Sequence, residues 1–277
     1  MLSLHTNAAS LSTQNSLSNV NRNLSSSMTK LGTGYRVNSA MDDAAGLQIA
    51  TRLNAQTRGM QTAQKNTQNG ISMLQTAEGA LDEINNMLLR MKDLSTEAAT
   101  ATATDEDKKA MDAEFKALSS EIKNIMENTS FGGKQLLDSA SGLLNSSVTF
   151  QIGAASGEKY EFGAASGSLS TFNTSISTLS GGMSASANAM IGTLDTAIKN
   201  LGTLRSDLGA GANRLEHNYN NLGNMIQNTE AARGRIMDVD YASETANMTK
   251  NQMLMQASTS MLKQSSSMSQ MVASLLQ

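Results

Sequence analysis

Residues 191–229 read IGTLDTAIKNLGTLRSDLGAGANRLEHNYNNLGNMIQNT. One row runs through the whole stretch: Ile191, Leu194, Ile198, Leu201, Arg205, Leu208, Ala212, Leu215, Tyr219, Leu222, Ile226 and Thr229, spaced alternately three and four residues apart. A 3.5-residue repeat keeps one narrow stripe turned toward a partner helix. The row predicts a continuous helix from about Ala189 to Arg235, roughly 70 Å long at 1.5 Å per residue. Gly202, Gly209, Gly211 and Gly223 fall inside it, each costing ~1 kcal/mol against alanine. Close approach of a neighbouring helix is one compensation for that cost.

Moving outward, a second row runs Leu74, Ala77, Leu81, Ile84, Leu88, Met91, Leu94, Ala98, and a third runs Met111, Phe115, Leu118, Ile122, Ile125. Thr104 with Asp107 three residues on forms a capping-box pattern, and Asp105 and Glu106 suit the positive end of a helix. The Ala/Thr run at 99–104 is therefore expected to turn between antiparallel helices. Phe131-Gly132-Gly133 is expected to end the third helix. Val148, Phe150 and Ile152 alternate with polar residues, as do Tyr160 and Phe162, and Gly153 to Gly157 supplies a turn, so a β-hairpin is predicted. Residues 163–187, rich in Ser, Gly, Ala and Thr, are expected to be loop or short irregular structure. The fold class is mainly α: an elongated antiparallel helical bundle with coiled-coil packing and one small β-hairpin.

The two ends match in character. Leu17, Val20, Leu24, Met28 and Leu31 form an apolar stripe on a Ser/Asn/Thr surface. Ala246, Met253, Ala257, Met261, Met268, Val272 and Leu275 form another. Each stripe is thin beside the ~1–2 kcal/mol per residue that ordering a backbone costs. Both ends are expected to become helical only against partners, either each other or copies in neighbouring subunits. Leu17, Val20, Leu24, Leu31, Met253, Met261, Val272 and Leu275 are the candidate subunit-packing residues.

Composition agrees with long helices and excludes several chemistries. The 277 residues contain no proline, the residue that removes a helical N–H and clashes with the preceding turn. There is no cysteine, so no disulfide or thiol chemistry is available. A net charge of −3 offers no basic footprint for nucleic acid or anionic lipid. No run approaches the ~20 apolar residues of a membrane span, and the opening Met-Leu-Ser-Leu-His-Thr-Asn lacks a basic n-region and apolar core, so no cleaved signal peptide is expected.

Catalytic patterns are equally thin. His5 and His217, the only histidines, lie 212 residues apart, far from the one-turn spacing of a zinc-peptidase motif. Asp42 and Asp43 are adjacent and point to different sides of a helix, so capping or interface polarity is the expected role, as for Asp238 and Asp240. Gly32-Thr-Gly34 lacks the context of a phosphate loop and is expected to be a turn or helix break. The methionine stripe is expected to give adaptable packing. No enzyme activity, metal or cofactor is expected.

Arg36-Val-Asn-Ser-Ala-Met-Asp-Asp-Ala-Ala-Gly46, followed by Leu47-Gln-Ile-Ala50, strongly resembles the N-terminal signature of bacterial flagellins. Ala232-Arg-Gly-Arg-Ile236, Asp238-Val-Asp-Tyr-Ala-Ser-Glu244 and the closing Ser274-Leu-Leu-Gln277 resemble the C-terminal one. The opening residues are most similar to lateral-type flagellins. The resemblance implies that the N- and C-terminal helices pair, with residues 1–45 plus 236–277 as an inner domain and 46–235 as a helical rod carrying the hairpin. The outer domains that many flagellins insert mid-chain are expected to be absent. Many relatives carry a proline near the C-terminus where this chain has Ser269.

The resemblance further implies a secreted structural subunit that polymerises with itself into the extracellular flagellar filament for swimming or swarming. Export unfolded through the flagellar type III apparatus is implied, as are an export chaperone on the C-terminal segment and filament cap and hook-junction proteins as partners. Arg90, Leu94 and Glu114 align with positions through which related flagellins contact Toll-like receptor 5. The alternatives are a hook–filament junction protein, which shares terminal patterns with flagellin, and a secreted coiled-coil translocator.

Overall fold

With no proline to interrupt it, the chain builds two very long helices, one of 55 residues and one of 51. A computed structural model describes residues 7–183 and 187–275. In order these form α1 (Ala8–Thr33), α2 (Ala44–Ala98), α3 (Asp105–Asn128), β1 (Ser130–Phe131), β2 (Lys134–Gln135), β3 (Val148–Gln151), β4 (Lys159–Phe162), α4 (Ala164–Leu179), α5 (Ala187–Met237) and α6 (Tyr241–Leu275). The mainly α class follows the expectation. Two compact units result: the described residues through Ala55 with those from Asn228 onward, and Gln56–Gln227.

The core of Gln56–Gln227 is built on α2. All eight residues of its row, Leu74 through Ala98, are buried. On α5 the period is as expected but the buried row is displaced. Leu194, Leu201, Leu208, Leu215 and Leu222 are buried as predicted, while their companions are Ala197, Leu204 and Gly211. Ile198, Arg205 and Ala212, which the heptad count puts in the seam, are only half-buried. Leu204 takes the apolar position because the Arg205 guanidinium retains partners at the edge, Asp82 at 3.0 Å and Glu78 at 3.3 Å. Gly211 is the glycine whose cost has a visible compensation. A Cβ there would lie 2.6 Å from Phe162 Cε2, so its absence admits the β4 ring. Gly202 and Gly209 face nothing within 4 Å and have no such role.

The capping box forms as read. The Asp107 N–H donates to Thr104 Oγ1 at 3.2 Å, and the Thr104 N–H donates to Asp107 Oδ2 at 3.1 Å. Helix α3 ends earlier than expected, where the Thr129 N–H returns to the Ile125 carbonyl. Gly132 and Gly133 instead form the turn of a small hairpin, β1–β2, with φ of 59° and 82°, because both central residues of such a turn need positive φ. The predicted hairpin is β3–β4, with Val148 opposite Phe162 and Phe150 opposite Tyr160. Phe150 and Tyr160 stack, and the Arg214 guanidinium lies 4.5 Å from the centre of the Tyr160 ring.

The stretch expected to be loop contains helix α4. Ala165, Leu169, Phe172, Ile176 and Leu179 are buried on one face at helical spacing. Its hydroxyl residues do not break the helix because they bond back to it: Thr171 donates to the Gly167 carbonyl, Thr174 to Ser170 and Ser175 to Thr171. Ser168 Oγ donates to Asp207 at 2.6 Å, tying α4 to α5.

Candidate assembly site

Helices α1 and α6 run antiparallel along each other, and hydrogen bonds fix the pairing at both ends. At one end Asn7 caps α1 by accepting from the Ser10 N–H at 3.0 Å, and its amide donates to the Ser265 carbonyl and hydroxyl, each at 3.2 Å. At the other, Tyr35 bridges Asp238: the Arg36 N–H reaches the Met237 carbonyl at 2.6 Å, and the Val239 N–H reaches the Gly34 carbonyl at 3.0 Å. The Arg36 guanidinium adds a 2.8 Å bond to the Ile236 carbonyl. Gly34 ends α1 with φ 75°, and a Cβ there would stand 2.9 Å from the Tyr241 hydroxyl. The expected helix break at Gly32-Thr-Gly34 is thus a left-handed cap.

Of the acidic residues flanking this clip, Asp43 and Asp240 cap helices and Asp42 closes a turn. Asp42 accepts from the backbone N–H groups of Ser39 and Asn38 and from the Ser39 hydroxyl. Those bonds, the Ser39 backbone first, hold its pKa below the ordinary carboxylate value. Asp43 accepts from the Gly46 N–H at the start of α2, and Asp240 from the Ala242 N–H at the start of α6. Among the described residues, no three His, Cys, Asp or Glu cluster as metal ligands, and no helix is long and apolar enough to cross a membrane.

The candidate packing residues fall into two groups. On α1, Leu24 is buried and Leu17, Val20 and Leu31 are half-buried. On α6, Met253 and Met261 are 60% and 64% exposed. Val272 and Leu275 lie in the α6 backbone, but their side chains fall outside the described residues, as does His5. The sheltered face of α6 is a different row: Asn251, Met255, Ser258, Leu262 and Ser265. Their four-and-three spacing is helical, but three of the five are polar, so a search for apolar periodicity passes over them. Helix α6 therefore carries a sheltered mixed row and an exposed apolar one, the latter continued by Met268 and Met271.

The other candidate group lies in Gln56–Gln227. Arg90 and Glu114 come together as an exposed ion pair of 2.8 Å between α2 and α3. Leu94 is 2% exposed, so the structure places it inside the core rather than beside them.

Residues 4–141 match the bacterial flagellin N-terminal helical region, and residues 191–276 match the bacterial flagellin C-terminal helical region. A flagellin of Halalkalibacterium halodurans is 41% identical over 90% of this chain and 90% of its own length. Flagellin A of Vibrio anguillarum is 32% identical with both chains fully covered. That alignment runs to 382 positions against 277 residues here, so the relative carries insertions this chain lacks. The crystal structure of Bacillus cereus flagellin is 36% identical and superposes with a TM-score of 0.50, covering 57% of this chain and 88% of that one. The paired ends, the clip formed where the two signature sequences meet, and these likenesses agree: the chain belongs to the bacterial flagellin family.

Proposed function

We infer that the chain is the structural subunit of a bacterial flagellar filament, acting mechanically rather than as a catalyst. The observation that carries this reading is the exposed apolar row of α6. Met253, Met261 and Met268 stand on a helix whose sheltered face already meets α1, and a second copy of the chain is the partner the family supplies. The family favours this reading over the hook–filament junction protein and the translocator. In this reading the contacts between copies are heterologous and non-closing, the kind that builds a helical fibre rather than a ring. Assembly is assigned to the terminal helices, with residues 1–45 plus 236–277 as the inner domain and 46–235 as the helical rod.

The finer partners follow from the same reading. The subunit is secreted through the flagellar type III apparatus, a chaperone holds the C-terminal segment before export, and cap and hook-junction proteins meet the growing and basal ends. Recognition by Toll-like receptor 5 would rest on the exposed Arg90–Glu114 pair, with Leu94 supporting it from below. Loss of receptor activation on alanine substitution of both charges is the expected result, and undiminished activation would remove this partner.

The principal test is electron microscopy of purified chain seeded with filament fragments, beside a version lacking residues 1–40 and 238–277. Elongation by the full chain alone is expected. A full chain that stays monomeric with seeds present would overturn the filament reading.

A further inference from the structure

The buried methionines all lie in one unit, although Met225 there is 37% exposed and Met111 and Met190 are half-buried. In Gln56–Gln227, Met60, Met73, Met87, Met91, Met126 and Met183 are buried, none more than 8% exposed. No described methionine outside that range is buried. There Met28, Met41, Met253, Met261, Met268 and Met271 are 46% to 96% exposed. At 100° per residue, the four on α6 fall within a sector of about 80°. The six buried methionines are shielded, and the four exposed ones on α6 lie along one side of the helix, while Met248 and Met255 are half-buried.

A thioether is a two-electron reductant. Its sulfur lone pair attacks one peroxide oxygen, an S–O bond forms and the O–O bond breaks. The proton on the transferred oxygen passes to the departing hydroxide, which leaves as water. The product sulfoxide is polar and chiral where the thioether was apolar and pliant. An exposed sulfur meets peroxide directly, whereas a buried one must wait for local opening.

We propose that the methionine row of α6 is an oxidation site through which a small peroxide switches subunit association off. Sulfoxides at Met253, Met261 and Met268 place S–O dipoles on the surface where a second copy would pack, and a methionine sulfoxide reductase reverses the change. The proposal rests on the filament-subunit reading.

The test takes the full chain through graded hydrogen peroxide and maps sulfoxides by peptide mass spectrometry. Met253, Met261 and Met268 should oxidise at least about tenfold faster than Met60 and Met91, and equal rates would overturn the site. The oxidised chain is then added to untreated filament fragments. Elongation should slow by about tenfold or more, and should return after treatment with sulfoxide reductase. Undiminished elongation with the sulfoxides in place overturns the switch, as does a failure to recover once they are removed. Substituting Met253→Leu, Met261→Leu and Met268→Leu together keeps apolar volume and removes the three sulfurs of the proposed site, so that chain should elongate in peroxide. Met41→Leu, at the most exposed of the described methionines, should leave the parent's sensitivity intact. If the triple variant is as sensitive as the parent, the responsible sulfur lies elsewhere and the proposal fails. If the untreated parent does not elongate, the filament reading fails instead, while the sulfoxide map still decides which sulfurs react.

Discussion

Residues Gln56–Gln227 and the terminal unit are both helical, but they keep their apolar side chains in opposite places. In the former, Leu81, Ile84, Leu88, Phe115, Phe172 and Leu201 have no exposed surface. In the latter, Leu24, Val37 and Ala50 are the only described apolar residues that are buried, while Ser27 and Ser265 are buried with them. Helix propensity alone gives little stability in water, and most of it comes from burying an amphipathic face. The inner part of the chain supplies its own core. The ends have little core and hold large apolar groups on the surface, which suits a segment completed by neighbours.

That contrast can be broken most sharply by mutation. Phe115→Ala should destabilise the free chain by about 3–5 kcal/mol in a urea titration, whereas Met261→Ser should leave that midpoint within about 0.5 kcal/mol yet impair seeded elongation. Comparable loss of monomer stability in both variants would erase the distinction. Glycines in α5 give the next largest effect. Gly211→Val should cost about 1–3 kcal/mol because its side chain meets the Phe162 ring, while Gly202→Ala, facing open space, should gain up to about 1 kcal/mol. Thermal unfolding of the two variants checks both signs.

Acid should touch both units alike. Asp107 is held below the ordinary 3.8 by the Thr104 hydroxyl and then its N–H, and Asp42 by the N–H groups of Ser39 and Asn38. A carboxylate depressed in the folded state contributes stability above its unfolded value and loses it as pH falls through the lower folded one. The amide resonances of Ser39 and Thr104 should therefore each shift below pH 3.8, and Asp42→Asn should abolish the shift at Ser39 only. The smallest effect belongs to the surface: Arg90→Ala should change stability by no more than about 1 kcal/mol in the same urea assay, since both charges of its pair are exposed.

What the sequence disclosed follows from how each residue is buried. The α2 row from Leu74 to Ala98 is apolar at every step, so period and partner face coincide. On α5 two neighbouring rows are both partly apolar, and a strict heptad count chose Arg205 where the core holds Leu204. Helix α4 was hidden because Leu169, Phe172, Ile176 and Leu179 are diluted by Ser and Thr that composition assigns to loops. At the candidate assembly site the methionines of the exposed row were legible, but Asn251, Ser258 and Ser265 were not, since a polar packing face leaves no apolar signature. The clip between Gly34–Arg36 and Met237–Val239 joins positions about two hundred residues apart. Periodicity contains nothing about such a meeting, whereas the two family signatures mark both of its halves.

The Asn7–Ser265 hydrogen bonds close a loop of 258 residues. A chain made N-terminus first cannot form them until Ser265 has emerged, although the core of Gln56–Gln227 has all its residues well before. The terminal pair is therefore a clock as well as a contact. While the clock runs, α1 has no α6 to lie against. A molecule halted before Ser265 is left with an unmatched first helix.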